Sequence, residues 1–96
     1  MAGGWMIGLM LEVEGEASPV RHYYAVGQED RSRAEWAAID AAAGTGKVAM
    51  SPVGGLEPVQ AIAELAPKLA ARLGLREGQV RPLGDKWPRR WLGAVR

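Results

Sequence analysis

Several stretches of this 96-residue chain carry side chains whose type and spacing could do chemistry. Gly44-Thr45-Gly46-Lys47 invites comparison with a phosphate-binding loop, in which backbone amides wrap the phosphates and a hydroxyl holds magnesium. That loop needs a glycine five residues before Gly46 and Ser or Thr after the lysine, but Ala41 and Val48 stand there. The segment also leads out of a helix toward a strand, the reverse of the required order. It reads as a helix terminus and turn. Glu12, Glu14 and Glu16 alternate, so on an extended chain they project to one side. Paired carboxylates can work as acid and base or ligate a hard cation when further oxygens converge. Nothing in the sequence identifies such donors, and a solvated strand end whose charges discourage edge pairing is the better account.

His22, the single histidine, is placed to lie across a hairpin from Glu14, and Ser18, Ser32 and Ser51 are the hydroxyls available as nucleophiles. No G-x-S-x-G elbow surrounds any of them, and Ser32 has a role as a helix cap. No catalytic residue is therefore nominated, and a non-enzymatic protein is expected. The chain has no Cys, which removes disulfides, thiolate nucleophiles and Cys-based metal sites together. No cofactor and no metal are expected.

The basic residues carry more information. The net charge is only +1, yet residues 1–40 hold three basic and seven acidic groups, whereas residues 65–96 hold eight and two. Arg81, Lys86, Arg89, Arg90 and Arg96 surround Trp87 and Trp91. Cations can neutralise phosphates while indoles stack on unpaired bases, so these residues are candidate contacts to an anionic partner such as single-stranded nucleic acid. The same pattern suits an anionic membrane surface. Against both stands docking, with Trp87, Trp91 and Leu92 packing on the body while the arginines face water. Docking is favoured, because two Trp in a tail seldom stay exposed without purpose.

Positioning these residues requires defined elements. Trp5 to Glu14 alternates with period two, which makes a strand with Trp5, Ile7, Leu9, Leu11 and Val13 on one face. Gly15–Val20 is turn chemistry, and Arg21–Gly27 is a second, aromatic and β-branched strand. Ser32 and Glu35 have capping-box spacing ahead of a helix over Arg33–Ala43, ended by Gly44. Its Trp36, Ile39 and Ala43 share a face expected to meet the sheet. Lys47–Val53 reads as a third strand with Pro52 at its end or edge. Val59, Ile62, Ala66, Leu69 and Leu73 repeat at three and four, predicting a second helix from Pro58 to Gly74. Pro67 should kink it or divide it into two short helices. Gln79–Leu83 is a possible fourth strand, and Gly84–Arg96 has no period.

The expected fold is α+β. It is a two-layer sandwich with a mixed three- to four-stranded sheet, in the order β-β-α-β-α with a possible final β, and two helices on one face. Residues 1–83 form the domain, and 84–96 are a basic, Trp-containing segment docked on it. If the hairpin pairs Glu14 with His22, then Met6, Met10, Tyr24 and Val26 share the uncovered face. They would form an apolar patch suited to a homodimer or another protein, unless the C-terminal segment covers it. A one-residue register shift sends Tyr24 and Val26 to the core instead. The functional expectation is a small module that self-associates through the open face or an edge strand, with nucleic-acid binding as the alternative. Ala2–Leu11 is shorter than the about 20 residues a membrane span needs and is followed by glutamates, so no span and a cytoplasmic location are expected. Sixteen Ala, and nine Arg against three Lys, are the usage of a GC-rich, bacterial-type coding sequence.

Overall fold

The computed structural model of the protein describes residues 3–94. Strand β1 (Gly4–Glu12) pairs antiparallel with β2 (Val20–Val26). Trp5 opposes Val26, Ile7 opposes Tyr24, Leu9 opposes His22 and Met10 opposes Arg21. Alternation then decides the faces: Ile7, Leu9, Leu11, Tyr24 and Val26 fall on one, and Met6, Gly8, Met10, Arg21, Tyr23 and Ala25 on the other. The pairing is shifted by five residues from one that sets Glu14 opposite His22, and that odd shift brings Tyr24 and Val26 into the core. The expected patch of Met6, Met10, Tyr24 and Val26 is thereby divided between two faces, and all four residues are buried.

The first face is covered by α1 (Arg31–Ala42), which lays Ala34, Ala38 and Ala42 against Ile7, Leu9, Leu11 and Tyr24. The residues expected to face the sheet do not lead the contact: Trp36 is 66% exposed, and Ile39 is only half-buried. Large sheet residues leave room for a stripe of small ones, so the alanines let the helix approach closely. The cap is Asp30 and not Ser32. Its backbone is extended, and its carboxylate accepts the Arg33 N–H at 2.9 Å, while Ser32 is the second helical residue. The Trp5 indole donates to the Glu29 carbonyl at 2.9 Å and ties the approach to α1 to the sheet.

The third strand is shorter than expected. β3 spans only Lys47–Val48, opposite Glu12 and Leu11, before the chain leaves the sheet. Val53 and Leu56 exchange both backbone hydrogen bonds around Gly54 and Gly55, whose φ of +58° and +82° make the tight turn that glycine favours. The expected second helix is largely a strand. β4 (Val59–Leu65) lies along the edge of β1 beyond β3, with a bulge at Ile62, between the pairs Met6–Ala63 and Ile7–Ala61. Val59, Ala61, Ala63 and Leu65 also alternate with period two, and β1 has a free edge whose backbone groups need partners. Pro67 marks the start of a separate short helix, α2 (Pro67–Arg72), where a missing amide costs nothing. β5 (Val80–Gly84) pairs with β2, and a 3-10 helix (Arg89–Ala94) follows.

The result is an α+β fold with a five-stranded, wholly antiparallel sheet, not a mixed one. It has one substantial helix. The short α2 lies on the opposite face from α1, where Ala70, Leu75 and Trp91 cluster with Met6, Ala25 and Leu65. No helix among the described residues is long and apolar enough to cross a membrane.

Candidate functional site

The face opposite α1 is the outer face of the sheet, and two kinds of cover close it. At the Met6 end, Trp91 is only 5% exposed and packs into the cluster with Ala70 and Leu75. At the Gly8 end, Arg21 lies flat on the sheet. A Cβ at Gly8 would stand 2.8 Å from Arg21 Nη2 and 2.9 Å from Ile62 Cδ1, so the missing side chain is what admits the guanidinium. Arg21 Nη2 donates to Gln60 Oε1 at 2.7 Å. Its charge sits 5.5 Å from the centroid of the Tyr23 ring, and its buried Nε has no hydrogen-bond partner. The negative face of the ring offsets part of that loss.

Tyr23 links this cover to the C-terminal segment. Its ring meets that of Trp87 at 5.5 Å and 90°, a favourable quadrupole arrangement, and Trp87 stays 47% exposed. Arg81 is used structurally. Its Nη1 donates to the Leu73 carbonyl at 2.6 Å and its Nη2 to that of Gly74 at 3.3 Å, capping the end of α2, and its guanidinium carbon lies 6.0 Å from the centroid of the Trp91 ring. Of the seven residues nominated for an anionic partner, Arg81 and Trp91 therefore serve the fold. Lys86, Trp87, Arg89 and Arg90 remain exposed. Arg96 and the Leu92 side chain lie outside the described residues.

The structure adds residues that sequence reasoning missed. α2 and the 3-10 helix pack together, so Lys68 and Arg72, both exposed, join Lys86, Arg89 and Arg90 in one layer. Lys68 and Arg72 are four apart, the spacing that puts two side chains on one helix face, so this part was legible. Arg21 and Tyr23 gave no such signal, because their place depends on the hairpin register.

The remaining candidates are dispersed. His22 opposes Leu9, not Glu14, and Glu14 lies in the turn after β1. Ser18, Ser32 and Ser51 are exposed at separate places in the fold, and Thr45 lies near the Tyr24 phenol. Among the described residues no group of three His, Cys, Asp or Glu is placed to hold a metal ion. The two sheet edges carry features that discourage pairing: β4 has its bulge, and β5 has Pro82. Compared with known proteins, the chain matches no family, no curated protein and no solved structure.

Proposed function

We propose that this protein is a small non-enzymatic binding module that takes single-stranded nucleic acid on the layer formed by α2 and the C-terminal 3-10 helix. One observation carries this reading. Five exposed cations, Lys68, Arg72, Lys86, Arg89 and Arg90, lie on two segments that pack together, α2 and the C-terminal segment that also carries the half-exposed Trp87. A flexible anionic strand can release counterions along such a layer while one base stacks on the indole. Tyr23 holds Trp87 from beneath, so little side-chain freedom is lost on stacking. With Trp91 committed to the core, the site has a single exposed stacking ring and should prefer no sequence.

Fluorescence anisotropy of labelled oligonucleotides of roughly 15 residues tests the proposal. Affinity should fall with salt at a log–log slope of roughly −2 to −4, as expected for three to five neutralised phosphates. The Arg89→Ala/Arg90→Ala pair should flatten that slope by about 1, and Trp87→Ala should weaken binding roughly tenfold or more. Absence of binding at low salt, indifference to these substitutions, or preference for anionic vesicles over oligonucleotides would each overturn it.

A further inference from the structure

A separate surface lies on the far side of the sheet from the basic layer. Trp36 stands two residues from both Ala34 and Ala38, about 200° around the helix from each, so it points straight away from the sheet. It is 66% exposed on the main helix of the fold. Ser32, Trp36, Ile39 and Ala43 are spaced four, three and four, the seam of a helix that packs against another helix. Just past the end of α1 an apolar groove lined by Ile39, Ala43, Gly46, Lys47 and Val48 continues this seam. The sheet already has its own stripe in Ala34, Ala38 and Ala42, and of the second stripe only Ile39 packs partly against that core, while Trp36 and Ala43 stay exposed.

We infer that a second copy of this chain docks on this seam, with the two α1 helices antiparallel about a two-fold axis. The pattern is self-complementary in that orientation. Trp36 faces Ile39 of the second copy and reaches the groove beyond it, while Ser32 faces Ala43, so bulk meets a cavity and small meets small. The charges agree. Arg33 and Asp40 are exposed on the same flank of the seam, and the two-fold brings Arg33 of each copy beside Asp40 of the other. Parallel packing would instead set Trp36 on Trp36, Arg33 on Arg33 and Asp40 on Asp40. A 12-residue helix contributes a seam of only about 18 Å, which places the contact among weak, concentration-dependent interfaces with Trp36 as its anchor.

Sedimentation equilibrium from roughly 1 µM to roughly 1 mM tests this. The mass should rise from 10.3 kDa toward twice that value with concentration. Trp36→Ala, at an exposed helical position, should keep its circular dichroism and remain monomeric throughout. Arg33→Glu and Asp40→Arg should each shift dimerisation to several-fold higher concentration, and the double variant should restore it. Neither reversal opposes the helix dipole, since the acid falls in the first turn and the base in the last. A constant 10.3 kDa mass, a dimer indifferent to Trp36→Ala, or a double variant no better than the singles would overturn the inference.

Discussion

Tyr24 illustrates how one residue changes meaning between sequence and fold. In sequence it belongs to a candidate association face, and Thr45 belongs to an apparent phosphate loop. In the structure Tyr24 is buried under α1, and Thr45 lies close enough to act on its phenol. Burial raises the phenol above its ordinary 10.0, although the Thr45 hydroxyl pulls in the opposite direction. A group whose folded pKa is raised contributes stability that is complete below the ordinary value and lost as pH climbs through the folded one. Wild-type thermal stability should therefore fall between about pH 9 and about pH 11, more steeply than that of Tyr24→Phe. Melting curves of both proteins at the two pH values decide it, and parallel losses would show that Tyr24 ionises at no cost to the fold.

At the scale of elements, α1 and β4 show where periodicity misleads. α1 and its C-cap carry two stripes, Ala34–Ala38–Ala42 at spacings of four and Trp36–Ile39–Ala43 at three and four, and hydrophobicity alone favours the larger. The bulky strand residues Ile7, Leu9, Leu11 and Tyr24 select the smaller one, and that preference belongs to the pair of surfaces, not to the helix. The segment Val59–Leu65 satisfies period two and, through Ile62, period 3.6 as well. The bulge at Ile62 breaks the alternation, so that Val59 and Ala61 pack on the α1 face and Ile62 and Leu65 on the other. Hydrogen bonding to the exposed edge of β1 decides for the strand, and no window of sequence contains that edge. The helix start offers a direct check. Asp30→Ala should destabilise by about 1 kcal/mol in urea, because it removes the acceptor of the Arg33 amide, while Ser32→Ala should change little. The opposite ranking would return the cap to Ser32.

For the whole molecule, the second layer is assembled from segments that are distant in sequence: β2, the end of β4, α2, β5 and the C-terminal 3-10 helix. Trp91 is its keystone. Trp91→Ala should cost roughly 3–5 kcal/mol, whereas Trp87→Ala, half-exposed already, should cost far less, as urea unfolding would show. Equal costs would mean that the C-terminal segment is no part of the outer core. The sequence by itself determined the composition of charge along the chain, the β1–β2 hairpin, the approximate place of α1 and β5, and the exclusion of thiol and phosphate-loop chemistry. These follow from local period, turn chemistry and residue inventory, which need no distant partner. Only the tertiary structure decided the hairpin register, the strand identity of Val59–Leu65, which stripe of α1 is buried, and which of the basic and aromatic residues stay free. Each of those depends on what surface lies opposite, and the opposing surface comes from residues tens of positions away.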